Sequence, residues 1–136
     1  MRIFYPIFFA LLLSGCELFG VGESGSVHAR TDQEKYITGE PVTYSLINDS
    51  YKTASFANCN ELVYQLERRE GRSWVIASAS VCLLVVSPPL EILPQHTYEG
   101  KVTISTPGTY RLGFIRYIDK DDEEVYTNSF SVIAAE

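Results

Sequence analysis

Apolar and polar residues alternate along most of the chain from Val27 onward. In residues 41–48, Val42, Tyr44 and Leu46 share one side of an extended chain, and polar residues lie between them. Side chains of a β-strand point alternately to the two faces of a sheet, so this period of two predicts a strand with one buried face.

The same alternation continues to the end of the chain. It is present in residues 63–69, 73–76, 97–105, 109–118 and 125–132. Gly71 predicts a hairpin turn between the first two of these segments, and Pro107 with Gly108 predicts another turn. The long apolar stretch 75–86 lacks a helical stripe and stops at a pair of prolines. Seven to eight short strands separated by turns predict an all-β fold, an antiparallel β-sandwich.

The composition is that of one folded domain. Hydrophobic residues make up 46% of the 136 residues and charged residues 21%, which is enough apolar material to bury a core and argues against disorder. The formal net charge is −6, and the basic residues cluster nowhere except at Arg68, Arg69 and Arg72. Because nucleic-acid affinity depends mainly on cations that neutralise phosphates, we expect no nucleic-acid partner.

The amino terminus has the pattern of an export signal. Arg2 is followed by an apolar run over residues 3–13. A transmembrane helix needs about 20 apolar residues, whereas the hydrophobic region of a signal peptide needs only roughly 7 to 15. The run is therefore too short to span a bilayer, and it predicts secretion.

The signal ends in Leu13-Ser14-Gly15-Cys16, which resembles the lipobox of bacterial lipoproteins. The resemblance implies cleavage before Cys16 by the lipoprotein signal peptidase. It also implies a diacylglycerol thioether on Cys16 and a further acyl chain, such as palmitate, on its amine. Several chains together anchor a protein stably in a membrane. The alternative is an ordinary secretory signal that is cut nearby.

This resemblance divides the chain into three parts. Residues 1–15 form the signal peptide, residues 16–26 the lipidated cysteine and a flexible linker rich in Gly and Ser, and residues 27–136 the folded domain. The protein would be extracytoplasmic, in the cell envelope, and bound to the membrane through the lipid on Cys16. In a host with two membranes, Glu17 after the cysteine favours the outer membrane, since inner-membrane retention often depends on an Asp there.

Residues 31–132 resemble the immunoglobulin-like domains of exported bacterial lipoproteins. The pattern has an aromatic residue and Gly-Glu before the second strand, an Asn that ends it, two cysteines around a hairpin with Gly and Trp, a proline segment and a Gly-Thr-Tyr-Arg strand. In this chain these are Tyr36, Gly39, Glu40, Asn48, Cys59, Gly71, Trp74, Cys82, residues 93–95 and residues 108–111. Trp74 lies closer to the second cysteine than in antibody domains, so the resemblance implies the broad immunoglobulin-like class.

Two finer resemblances accompany it. Tyr110, after Gly108 and Thr109, is similar to a tyrosine corner, which implies that its hydroxyl bonds to backbone near the preceding turn. The Asn48-x-Ser50 strand end, together with the hairpin that holds Gly and Trp, is similar to the bacterial intracellular proteinase inhibitor family.

With Cys16 assigned to lipid, Cys59 and Cys82 remain as the one pair that can form a disulfide. Export favours oxidation, and a bridge over this separation would stabilise the fold by roughly 3 kcal/mol. A redox or metal-binding pair is the alternative. That role favours C-x-x-C spacing or nearby histidine ligands, and the sequence has neither.

Other residues with reactive or charged groups are few. The two histidines, His28 and His96, have no partner at fixed spacing. Residues 119–124 carry five carboxylates, which could bind calcium, but they lack the glycine of an EF-hand loop. We expect them instead to form a solvated hairpin tip. Tyr51 and Tyr117 are the aromatic residues that we expect to be exposed for contacts.

These features predict a lipid-anchored envelope protein without enzymatic activity or cofactor. Its immunoglobulin-like domain would bind a second protein of the envelope or the extracellular space, or join an assembly. An inhibitor of an extracytoplasmic protease is the first alternative, and a hydrolase or a calcium-binding module is the second.

Overall fold

The computed structural model describes residues 25–80, 82 and 87–136. The predicted signal peptide, Cys16 and nearly all of the linker lie outside the described residues. Every regular element in the described part is a β-strand. In chain order the strands are β1 (Val27–Thr31), β2 (Lys35–Ile37), β3 (Pro41–Asn48), β4 (Ala54–Phe56), β5 (Tyr64–Glu70), β6 (Ser73–Ala79), β7 (Leu90–Ile92), β8 (His96–Thr103), β9 (Gly108–Ile118), β10 (Asp121–Tyr126) and β11 (Phe130–Ile133).

The strands form two sheets packed as a sandwich, which confirms the predicted all-β, immunoglobulin-like class. The smaller sheet has the order β1-β3-β8 and is antiparallel throughout. The described residues contain no helix with the length and apolarity to cross a membrane.

The larger sheet is built around β9. One side of β9 pairs with β5 and β4, and the other pairs with β10 and β11; β6 continues from β5, and β2 from β11. The pairing of β2 with β11 is parallel, unlike the others. It arises because the chain leaves the smaller sheet after β1 and joins the larger one at its edge.

The alternation of apolar and polar residues predicted several elements correctly. The strand predicted over residues 41–48 has those bounds, and Val42, Tyr44 and Leu46 are buried. The hairpin between β5 and β6 turns at Gly71, whose φ of 61° lies in the left-handed region that glycine adopts without strain. The buried face of each sheet therefore follows from the alternation in the sequence.

Residues 25–80, 82 and 87–136 form eleven strands rather than seven or eight, and the strand predicted at the end of the chain needs correction. The strand predicted over residues 125–132 is divided into β10 and β11. The hydroxyl of Thr127 accepts a bond from the N–H of Leu112 at 3.0 Å, and the side chain of Asn128 accepts one from the N–H of Thr31 at 3.0 Å. The side chains of Thr127 and Asn128 thus accept backbone N–H groups of neighbouring strands, so the backbone ladder of residues 125–132 is interrupted at this point.

The core lies between the sheets and is rich in aromatic residues. The rings of Tyr44 and Phe114 have centroids 5.0 Å apart, and the ring of Phe130 packs edge-on against Tyr36 at 5.5 Å. Such pairs add to the hydrophobic gain of burial.

Candidate functional site

One end of the sandwich gathers the start of the described chain and several loops. We call it the entry end and define it as residues 25–27, 49–53, 93–95 and 116–123. The N–H of Asp49 donates to the carbonyl of Ser26 at 3.1 Å, and the side-chain amide of Gln95 donates to the carbonyl of Asp49 at 2.8 Å. The loops are thus tied to one another and to the chain that enters β1.

Asn48 holds the loop that follows β3. Its side chain is fully buried, and its amide donates to the carbonyls of Lys52 and Ile92, both at 2.8 Å. Its side-chain oxygen accepts the N–H of Ser50 at 3.1 Å and the hydroxyl of Ser50 at 2.6 Å. Because these bonds satisfy the buried amide on both sides, the Asn-x-Ser strand end has a structural role in fixing this loop.

A groove of about 570 Å³ opens at the entry end. Tyr51 and Ile118 line it with exposed apolar surface, and the ion pair between Arg116 and Glu123, at 3.2 Å, lines it with charge. The Nε atom of Arg116 is buried and has no hydrogen-bond partner among the described residues. The groove therefore offers an apolar wall beside one ion pair.

The two tyrosines expected to be exposed both lie at this end. Tyr51 is 78% exposed at the tip of the loop held by Asn48, and Tyr117 is 44% exposed near the end of β9. Exposed Tyr rings contribute strongly to protein contacts because they bury a large area with little loss of side-chain entropy.

The two histidines flank the end of β3. His28 lies opposite Ile47 in β1 and has Nδ1 3.6 Å from the carboxylate of Asp49, while His96 lies opposite Asn48 in β8. Nδ1 of His96 is 2.8 Å from the carbonyl of Pro94. In the described part of the chain, neither imidazole forms a hydrogen bond to a hydroxyl or thiol. The described residues therefore do not pair either histidine with a nucleophile as acyl transfer requires.

The acidic segment is only partly a hairpin tip, which corrects the expectation for residues 119–124. Asp119 and Lys120 form the turn, since Ile118 pairs with Asp121, and the remaining acidic residues belong to β10. Their strand is held because Glu123 pairs with Arg116 and Glu124 accepts the hydroxyl of Tyr126 at 2.6 Å. Within residues 25–80, 82 and 87–136, no group of three or more His, Cys, Asp or Glu could hold a metal ion.

The remaining predicted site residues are dispersed. Cys16 lies outside the described residues. The structure brings Cys59 and Cys82 to disulfide distance, with their Cα atoms 5.6 Å apart. Tyr110 is buried, and its hydroxyl donates to the carbonyl of Thr106 at 2.8 Å, at the turn before β9.

The outer face of the larger sheet carries a cluster that sequence reasoning missed. The guanidinium of Arg111 lies between the rings of Trp74 and Tyr126, 4.5 Å and 3.9 Å from their centroids, and its Nε donates to the buried Glu67 at 2.6 Å. Burial, and then hydrogen bonds to acidic side chains, raise the pKa of Tyr126 well above its usual value. The one signal in the sequence was an outward Glu and an outward Arg on separate strands, and their register was needed to pair them.

No protein family model matches this chain, and no curated protein matches it either.

Proposed function

We propose that this chain is a non-enzymatic, lipid-anchored protein of a bacterial cell envelope, in which the immunoglobulin-like domain is a binding or assembly module. The observation that carries the proposal is the sequence Leu13-Ser14-Gly15-Cys16 directly after a short apolar run. Small residues before a cysteine suit a narrow peptidase cleft, and the thiol suits a thioether to lipid.

The position of the entry end supports this proposal. Residues 17–26 separate Cys16 from β1, and ten extended residues reach roughly 30 Å. A domain tethered at this length keeps its entry end near the membrane. The anchor then raises the effective concentration of the domain for any partner at the same surface.

The chemistry of the entry end supports a protein partner. Tyr51 and Ile118 expose aromatic and aliphatic surface along the groove that the ion pair of Arg116 lines, and Tyr117 exposes its ring on the opposite face of β9. Apolar contact area around a few charged groups is the usual composition of a protein interface. The partner is therefore a protein of the envelope or of the adjoining extracellular space.

Metabolic labelling with a radioactive or clickable palmitate tests the anchor. We expect label in the wild-type chain and none in Cys16→Ser, which should also leave the membrane fraction. The double variant C59S/C82S is the matched control, because it removes cysteines without touching the lipobox and should keep the label. Equal labelling of wild type and Cys16→Ser would refute lipidation at this residue.

A protease inhibitor is the second candidate, and one feature favours it. Tyr51 projects into solvent from a loop that Asn48 and Gln95 tie down on both sides. A loop held in one conformation loses little entropy when it enters a protease cleft, which favours tight inhibition.

Titration of purified proteases with the protein tests this candidate. An enzyme that cleaves after aromatic residues should be inhibited if Tyr51 enters its specificity pocket, and one that cleaves after Lys should be inhibited if Lys52 does. Tyr51→Gly should then abolish the first effect, while Tyr117→Gly should not. Absence of inhibition across both specificities would exclude this loop as an inhibitory element for proteases of these two specificities.

A further inference from the structure

The groove of the entry end lies where the described chain begins. Gly25, Ser26 and Val27 form part of its lining. Its volume of about 570 Å³ is within the range of pockets that hold drug-sized ligands, roughly 300 to 1,000 Å³, so it has space for a few side chains of a peptide. Residues 17–24 lie outside the described residues, and they are joined directly to the wall of this groove.

The side chains of this segment alternate with glycine. Residues 19, 21 and 23 are Phe, Val and Glu, and residues 20 and 22 between them are glycines. In an extended chain, successive side chains point to opposite sides. Extended residues 19–23 would therefore have one side with three side chains and one side that is bare backbone.

The side with the three side chains is the one that the chain directs inward. In β1 the odd-numbered residues Ala29 and Thr31 are buried, and Val27 packs against the core. At Gly25 the same side still faces the loop after β3, because a Cβ there would overlap the carbonyl oxygen of Asp49. An extended continuation would direct the Phe, Val and Glu side chains toward that loop and the groove.

The groove and the segment also match in chemistry. Tyr51 and Ile118 line the groove with exposed apolar surface, which the Phe and Val side chains of the segment can cover. Lys52 and Arg116 outnumber Glu123 among the charged residues of the lining, in a chain whose net charge is −6. Residues 17–24 contain two glutamates and no Lys or Arg. Opposite charges of this kind favour one orientation of the occupant.

We propose that residues 19–23 occupy the groove in an extended conformation, with Val21 against Ile118 and Glu23 beside Lys52. The covalent link through Gly25 gives the segment a high effective concentration at the groove, which no separate chain shares. A partner that enters the groove must then displace the segment. The inference does not depend on lipidation of Cys16, and it goes beyond the proposed function because it assigns the groove an occupant from the chain itself.

Disulfide trapping in the full-length protein, in the cell fraction that contains it, tests this contact. The variant V21C/I118C should form a bridge within one chain under mild oxidation, since residues in contact fall within the Cα separation of a disulfide, about 4.4 to 6.8 Å. Peptide mapping distinguishes this bridge from one that involves a native cysteine.

V21C/Y117C is the matched control. Tyr117 is the neighbour of Ile118 in β9 and is similarly exposed, at 44% against 39%, but it points to the opposite face. A linker that stays in solvent would bring residue 21 to both positions at similar effective concentrations. The bridge should therefore form on the order of 10-fold faster in V21C/I118C than in the control.

Proteolysis after Glu23 is the second measurement and needs no added cysteine. A glutamate-specific protease can cut this bond only while the segment is out of the groove, so the rate of cleavage follows the open fraction. Ile118→Asp removes an apolar wall and should raise that rate about 10-fold, whereas Tyr117→Asp should leave it unchanged. The mass of the product that starts at Ser24 identifies the cut with or without lipid on Cys16, so failure of the anchor and failure of this contact are distinguishable.

Equal rates of bridging in V21C/I118C and V21C/Y117C would overturn the proposal. A bridge between two chains would also overturn it, since a second copy would then be the occupant. Cleavage after Glu23 as fast in the wild type as in Ile118→Asp would contradict it as well, because the segment would then lie in solvent.

Discussion

Replacement of Asn48 by Ala should destabilise this protein more than any other single exchange of a polar side chain for Ala at the entry end. The side chain is fully buried and makes four hydrogen bonds, two to carbonyls and two to Ser50. Alanine leaves the carbonyl of Ile92 and the N–H of Ser50 in place without the partner that Asn48 provides. The change therefore removes the bonds and also strands buried backbone atoms.

The expected size follows from how buried each orphaned group is. The carbonyl of Ile92 and the N–H of Ser50 lie in buried bonds, and each buried group left unsatisfied costs about 1 to 3 kcal/mol. The carbonyl of Lys52 lies in a partly buried bond and still accepts the hydroxyl of Ser50 at 2.9 Å, so it contributes little. With two such groups, Asn48→Ala should lower the free energy of unfolding by about 2 to 6 kcal/mol.

Urea unfolding followed by the fluorescence of Trp74, the single tryptophan, measures this loss. Asn128→Ala is the matched control. Asn128 also bonds to backbone and side chain of Thr31, but these bonds are partly exposed, so water can replace them at a cost of about 1 kcal/mol. Asn48→Asp keeps the acceptor for Ser50 and loses both donors, and at neutral pH it should be at least as damaging as alanine.

The result that would refute this reasoning is equality of the two alanine variants within about 0.5 kcal/mol. That outcome would mean that water enters the site of Asn48 and satisfies the carbonyls. Wild-type stability of Asn48→Asp at neutral pH would contradict the assigned direction of the two donated bonds.

Three further outcomes are expected. Cys59 and Cys82 should resist alkylation until the protein is reduced, and ready alkylation of the unreduced protein would contradict their pairing. The variant C59S/C82S should lose roughly 3 kcal/mol in its free energy of unfolding. Arg111→Met should lower the free energy of unfolding in urea by about 3 kcal/mol, because it leaves the buried carboxylate of Glu67 without its cation. The double variant with Glu67→Gln should recover part of that free energy. Burial raises the pKa of the Tyr36 phenol to about 12. Its contribution to stability is therefore complete below pH 10, where the phenol of the unfolded chain is still protonated, and is lost as the pH rises from 10 to 12. Over that range the free energy of unfolding of Tyr36→Phe, measured in urea, should fall less steeply than that of the wild type.

The strands of the core were predictable because their signal is local. Side-chain alternation follows from strand geometry alone, and it located β3 and the turn at Gly71 without knowledge of any neighbour. The break between β10 and β11 was not predictable, since it depends on bonds from Thr127 and Asn128 to distant strands. The same holds for β8 and β9, which are consecutive in the chain but lie in different sheets.

The residues of the candidate site also divide into those with a local signal in the sequence and those that depend on strand pairing. From the sequence alone, Tyr51 and Tyr117 were expected as exposed aromatics, and both are exposed. It could not indicate the groove beside Arg116, or the pairing of Arg111 with Glu67, because each joins residues from separate strands through their register.

By itself, then, the sequence indicated the period-two strands, the hairpin at Gly71 and the choice of Cys59 and Cys82 as the pair. It also supplied the segment Leu13-Ser14-Gly15-Cys16, whose resemblance to a lipobox is the basis of the proposed anchor. The tertiary structure decided which strands became neighbours, and with them the parallel edge at β2 and the entry end. The physical reason is that alternation and turn chemistry act between residues adjacent in the chain. Sheet order and loop clustering instead depend on which buried faces pack together, and that is set by the whole core at once.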